Sequence, residues 1–263
     1  MKPWLRLLAA LAALGLLWAV AAIVLGERVL PPPGAVGLYF FHSLSHGEFW
    51  GHFSASAGRA AGGIALGFAL AFPAGLALGV CRCLDAWLSP FVFLTYPAPK
   101  ILFLPVLLVL LGLGEAPKII LIALTVAYQI LLVTRDSLRR LDQRYLDSFM
   151  ALCLTPGQGR PRPVMSDRLG LIRHVFVPAA LPAAVTALRL VSGTAVAVLF
   201  MAESFATDNG LGFLIIDAWG GLDLPRMFAG ILAMSGLGLA FYGIGGLLEL
   251  RFRRWSGRVS VGV

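Results

Sequence analysis

The sequence predicts an all-α membrane protein of six transmembrane helices, with a long cytoplasmic loop between helices 4 and 5. Three observations lead there. A mean hydropathy of +0.87 with only 13% charged residues lies outside the range of soluble domains, where about a quarter of residues are charged. Six apolar runs are each long enough to cross a bilayer as helix, which takes roughly 17 to 25 residues. These runs lack strict apolar/polar alternation and outlast the roughly 9 to 11 residues of a barrel strand. Residues 1–263 therefore read as one transmembrane domain, with spans at about 6–26, 57–81, 87–112, 117–134, 183–205 and 227–250 and a polar loop at 135–182.

The first span follows Lys2 and Arg6, the charge pattern of a secretory signal, but its apolar stretch exceeds the 7 to 15 residues of a signal core. It is expected to be retained. Pro31, Pro32 and Pro33 cannot continue a helix, so the chain turns at the outer surface and resumes as a short interfacial helix. His42, His46, His52 and Glu48 follow. His42 and His46 have the i, i+4 spacing of a metal-binding pair, yet four histidines in the whole chain are too few for a membrane oxidase. They are read as polar loop residues, and no metal site is expected.

In the second span, Gly58/Gly62, Gly63/Gly67 and Gly75/Gly79 have the spacing that lets helices approach closely. The third carries Pro97, Pro99 and Pro105, whose missing donors free carbonyls inside the membrane. Lys100 lies among them. An ammonium there is costly in lipid, so it either faces a pathway or interface or snorkels to the cytoplasmic surface. Residues 112–117 form a short outer turn, and the fourth span ends at Thr134.

A polar block then runs to Pro182. Residues 135–153 are helix-compatible, with Leu138, Leu141, Tyr145, Phe149 and Leu152 recurring every three or four positions. TPGQGRPRP cannot be helical. Ser166 suits an N-cap, Asp167 opens a second short helix, and Pro178 is expected to end it. In the fifth span, Arg189 is either a pathway cation or an inner-surface anchor near the start of its helix. Glu203, with Asp208 and Asn209, forms either a gating or docking turn or a capped outer loop.

The net charge of +8 is a matter of topology. Placing the N-terminus in the cytoplasm puts Lys2, Arg6, Arg82, the eight arginines of the block and Arg251, Arg253, Arg254 and Arg258 on one side, fifteen in all. Arg28, Arg59, Lys118 and Arg226 lie towards the other. This split obeys the positive-inside rule and places both termini in the cytoplasm, with membrane lipid and no nucleic acid as partner. Cys81, Cys83 and Cys153 are read as small apolar fillers. No phosphate-binding loop is present, since GLGEAPK has proline where the second glycine is needed, and no nucleophile has an evident base. No catalytic residue is therefore assigned.

Several stretches in order resemble one family. They are the LP-rich turn at Leu30, the glycine-rich span ending AGLALGV, PKILFLPVLLVLLGLGEAPK, VFVPAALPAAVTALRL, AESFATDNGLGFLI and MFAGILAMSGLGL with LELRFRRW. Together they resemble the permease subunit of type I ABC importers, in the group serving nitrate, sulfonates and taurine. The resemblance implies a multi-pass subunit of the bacterial or archaeal cytoplasmic membrane that pairs with a second permease copy. It further implies two ATPase subunits carrying the ATP and magnesium, with no cofactor on this chain. A periplasmic or lipoprotein solute-binding protein would deliver the cargo.

In that family a cytoplasmic motif opens with Glu-Ala-Ala and closes with Ile-x-Leu-Pro, and a coupling helix inserts into the ATPase. Here Val175, Phe176, Val177 and Pro178 form the close. Asp167, Arg168, Leu169, Gly170, Leu171, Ile172, Arg173 and His174 then correspond to the coupling helix. Phe149, Met150 and Ala151 replace Glu-Ala-Ala, Thr155 stands where glycine is expected, and TPGQGRPRPV is inserted. No salt bridge of the family's glutamate carries over. The competing readings are an intramembrane enzyme and a passive channel or scaffold, and the identity of the cargo stays open.

Overall fold

In the computed structural model, residues 3–141, 170–205 and 207–256 are described, and all regular structure among them is helical. Helix α1, Pro3–Leu25, is the first span. The proline run then sets the start of α2, Pro33–Ser43, because proline is tolerated at a first helical position where its missing N–H has no partner to lose. Helix α3, Gly47–Val80, has 34 residues and so extends about 50 Å. It begins ten residues before the predicted span, and His52 is a helical residue rather than a loop residue.

The third predicted span is two pieces. Helix α4, Arg82–Thr95, stops before a 3₁₀ turn, Lys100–Phe103, which leads into α5, Leu104–Leu111. The two halves are bent by 89°. Pro97 and Pro99 explain the break, since each removes a backbone donor and disfavours helix in the residue before it.

Helix α6, Glu115–Arg139, carries the fourth span and continues past Thr134 through Arg135 and Arg139. The start of the polar block is thus the end of a membrane helix. After the gap a π turn, Ile172–Phe176, runs directly into α7, Val177–Glu203. Helices α8, Leu211–Gly220, and α9, Leu224–Ser256, complete the chain. Among the described residues five helices are long and apolar enough to cross a membrane, and the bent pair, taken as one span, makes six.

Pro178 does not end a helix as expected. It is the second residue of α7, where an N–H is dispensable, and the Val177 N–H reaches back to the Ile172 carbonyl in the wider π turn. The wider turn carries the chain past the proline without ending the helix.

Two compact units are formed. In the first, Met1–Arg59 with Leu199–Leu237, Trp18 donates its indole N–H to the Pro31 carbonyl at 3.1 Å and packs on Phe228. In the second, Ala60–Val198 with Gly238–Val263, the glycine face of α3 lies on α6. A Cβ on Gly63 would sit 2.6 Å from Ile122 Cβ, one on Gly75 2.7 Å from the Leu131 carbonyl, and one on Gly79 2.8 Å from Leu138 Cβ. Bare backbone lets the two helices touch, so dispersion replaces the hydrophobic drive that lipid does not supply. Gly58, by contrast, faces open space among the described residues, so its pairing with Gly62 is not a contact seam.

Gly75→Ala should therefore lower stability by about 1 to 3 kcal/mol, the scale of overpacking against atoms that cannot yield. Gly58→Ala should be neutral or slightly stabilising. Thermal unfolding of the detergent-purified protein compares the two, and equal midpoints would remove the α3–α6 seam from the account.

Candidate functional site

At the start of α8 three consecutive backbone donors point at side chains of other helices. The Gly210 N–H donates to His52 Nδ1 at 3.0 Å, the Leu211 N–H to Ser56 Oγ at 2.7 Å, and the Gly212 N–H to Glu203 Oε2 at 2.8 Å. A helix N-terminus has donors without intrahelical partners, and here they are met from α3 and from the last residue of α7. Glu203 also favours this end electrostatically, because an N-terminus attracts negative charge.

The Glu203 carboxylate is itself fully buried. Ser56 Oγ lies 2.8 Å from both of its oxygens, and Arg59 Nη1 donates to Oε1 at 2.7 Å. Arg59 also donates to the Asn209 carbonyl at 2.9 Å and to the Asn209 side chain. Gly210 has φ of 115°, in the region that favours glycine, and a Cβ there would fall 2.5 Å from the Glu203 carboxyl carbon. Glu203 thus caps the start of α8 and pairs with Arg59. His52, Ser56 and Arg59 recur at i, i+4 and i+7, one face of a helix, a signal that sequence reasoning missed by reading His52 as a loop residue.

Close to this network, a cavity of about 360 Å³ is lined by Tyr39, His42, His46, Glu48 and Arg226. Arg226 pairs with Asp217 at 3.2 Å and Glu48 at 3.7 Å. Burial, reinforced by the nearby Asp223 carboxylate, raises the Tyr39 phenol above its ordinary range.

Lys100 lies at the break after α4. Its ammonium donates to the carbonyls of Thr95 at 2.8 Å, Tyr96 at 2.7 Å and Ala98 at 2.8 Å, which uses all three of its donors. It also stands 4.3 Å from the centre of the Tyr128 ring. Three carbonyls at the break, those of Thr95, Tyr96 and Ala98, are thus gathered by one cation.

At the basic end of the helices, Asp85 binds Arg135 and Arg139 and accepts from Ser89 at 2.6 Å. Sequence reasoning placed both arginines in a docking block and overlooked Asp85. The signal was a single acid in RCLDAWL beside a basic cluster. Arg189 lies twelve residues into α7, about 18 Å along it. It bonds Glu249 at 3.0 Å and the Tyr242 hydroxyl at 2.6 Å, and it stacks over that ring at 4.2 Å.

Of the coupling residues expected from sequence, Ala151, Asp167, Arg168 and Leu169 lie outside the described residues. Gly170, Leu171, Ile172, Arg173, His174 and Pro178 form one run into α7, with Ile172, Arg173 and His174 exposed.

Residues 166–254 match the family described as the binding-protein-dependent transport system inner membrane component. The aliphatic sulfonates transport permease SsuC of Bacillus subtilis (strain 168) is 28% identical over 88% of this chain and 80% of its own length. The taurine transport system permease protein TauC of Escherichia coli (strain K12) is 26% identical over 92% of this chain and 86% of its own. The fold is similar to a chain of the MetNI methionine ABC transporter in inward-facing conformations, with a TM-score of 0.61 and 18% identity, covering 76% of this chain and 94% of that one.

The Arg59–Glu203 pair yields a double-mutant test. Arg59→Ala leaves a buried carboxylate without its counter-charge and should cost about 3 to 5 kcal/mol, read as a lower unfolding midpoint in detergent. Arg59→Met combined with Glu203→Leu should recover most of that loss. A double variant as unstable as Arg59→Ala would show that the cost is not one of unpaired charge.

Proposed function

We infer that this chain is a permease subunit of a type I ABC importer in the binding-protein-dependent inner-membrane group, a reading supported by the family match over residues 166–254 and by the permeases it resembles along most of its length. Its basic end lies in the cytoplasm, and two copies associate to form a pathway between them. Each copy rests on one ATPase subunit, and a solute-binding protein delivers cargo from outside. This chain holds no nucleotide and makes or breaks no bond in the cargo. The names borne by its relatives support a small organosulfonate, such as taurine or an alkanesulfonate, as that cargo.

One observation carries the mechanism. The exposed basic turn at Ile172, Arg173 and His174 continues without interruption into α7, so a force applied to the turn acts on a membrane helix. When the ATPase subunits close on nucleotide they draw this turn with them. The helices then tilt as rigid bodies, and the interface between the two copies opens to alternate sides. Arg173 supplies a fixed positive charge where the two proteins meet, and His174 stands beside it.

Reconstituted with its ATPase and binding protein, the Arg173→Glu permease should import less solute per ATP hydrolysed by about tenfold or more. A reversed charge at an interface costs several kcal/mol. Radiolabelled taurine uptake and phosphate release, measured on the same proteoliposomes, give that ratio. A ratio equal to wild type would remove the turn from the coupling path, and no taurine or alkanesulfonate uptake by the wild-type complex would remove the cargo class.

A further inference from the structure

We propose that the cleft beside the α4 break is a binding station for the cargo, built for a molecule with an apolar body and an anionic head. The proposal rests on the reading of this chain as an organosulfonate permease and adds where within it the solute is held. The cleft encloses about 430 Å³ and belongs wholly to the second unit, between α3, α4 and α6. Leu70, Phe91 and Leu131 form its walls, and Ala74 leaves room between them. Thr95 and Tyr128 make its polar end, their hydroxyls 2.9 Å apart.

Three features single out this cleft. Tyr128 lies near the midpoint of α6, Glu115–Arg139, so the polar end sits deep in the span, where hydroxyl groups are out of place against lipid. Thr95 is the last residue of α4, and an interrupted helix presents groups that a continuous one keeps engaged. Lys100 stands directly behind the polar end, bonded to the Thr95 carbonyl and over the Tyr128 ring.

The state of that ammonium decides what the site attracts. Arg59, Arg135, Arg139 and Arg189 are each paired with a carboxylate. Lys100 is held by carbonyl dipoles and ring faces, with no carboxylate salt bridge among the described residues. Dipoles hold it in place but leave its net charge uncancelled, so the polar end keeps a positive field in a low-dielectric setting. An acyl chain of lipid would fill the walls and needs neither the hydroxyl pair nor the charge. The Thr95 hydroxyl donates to the Phe91 carbonyl at 2.7 Å, so Tyr128 is the donor between the two. A small organic anion would draw the Tyr128 hydroxyl from Thr95 to its head, use the charge behind it, and lay its alkyl part against Leu70, Phe91 and Leu131.

The test uses the complete transporter in proteoliposomes, with pentanesulfonate and methanesulfonate as probes. Ala74→Leu fills the cleft and should lower uptake of the longer probe relative to the shorter by about tenfold, the scale of one misplaced apolar contact. Tyr128→Phe keeps the shape and removes a donor to the anionic head, and should raise KM for both probes by about tenfold or more with kcat kept. Should Ala74→Leu fail to assemble, Tyr128→Phe decides alone, together with a labelling experiment on Ala74→Cys. For that variant Cys81, Cys83 and Cys153 are changed to serine, and maleimide reaction is followed with pentanesulfonate or sulfate present.

Protection by pentanesulfonate and not by sulfate is the expected result. Unchanged uptake ratio and KM, or labelling indifferent to pentanesulfonate as a lipid-filled cleft would give, overturns the station. The labelling does not depend on transport, so protection in a complex that imports no sulfonate would uphold the cleft while overturning the cargo assignment. Sulfonate import with indifferent labelling would do the reverse.

Discussion

The carboxylate of Glu203 persists where it is because the guanidinium of Arg59 lies against it. Both side chains are shut off from water, at 0% and 1% exposure, and an ion of either sign in such a place costs several kcal/mol unless its partner and its hydrogen bonds are all present. That requirement recurs through the molecule with different answers. Asp85 takes two arginines, Arg189 takes Glu249 and a tyrosine, and Lys100 takes three carbonyls. Such pairs add little net stability compared with apolar residues of equal volume, but losing one partner is expensive. Their effect is selective: α3 can meet the turn before α8 in one register only, the one that brings His52, Ser56 and Arg59 to Gly210, Leu211 and Glu203.

Hydropathy and charge made the helical class and the multi-pass plan legible, because both follow from runs of twenty or so residues and survive local error. Glycine spacing on α3 was also legible, although Gly58 shares the spacing of Gly63 and Gly75 without touching anything among the described residues. Spacing defines a helix face but does not say which faces are covered. The same limit applied to charges. His52, Ser56 and Arg59 could be grouped by periodicity, but that they serve Glu203 and the start of α8, well over a hundred residues later, is a tertiary fact with no local trace. Arg135 and Arg139 are read from sequence as part of the cytoplasmic polar block, whereas they end α6 and bind a single aspartate on α4.

Proline shows most clearly why local rules underdetermine the outcome. Pro97 and Pro99 break the third span, and Pro178 and Pro182 do not break the fifth. The difference lies in where the missing donors fall. Pro97 and Pro99 fall within a single turn, which loses two donors at once, and Lys100 binds the carbonyls of Thr95, Tyr96 and Ala98 around the break. Pro178 falls at the second position of a helix, where no donor is required, and the π turn before it carries the chain past the ring. Pro182, one turn on, removes only the donor to the Pro178 carbonyl, and the helix runs on, with the Thr186 hydroxyl bonded to the Pro182 carbonyl at 3.0 Å.

That contrast bears on how force would travel through the molecule. A helix interrupted by 89° dissipates an axial push as bending, and α4 with α5 is therefore a poor transmitter. Helix α7 has no such interruption from Val177 to Glu203, about 39 Å at the rise of an α-helix. Its first turn is contiguous with the exposed Arg173, and its last residue is the carboxylate that caps α8. On the proposed coupling, a displacement of the basic turn would act on α7, and Glu203 at its far end cannot leave Arg59 and Ser56 without exposing an unpaired charge.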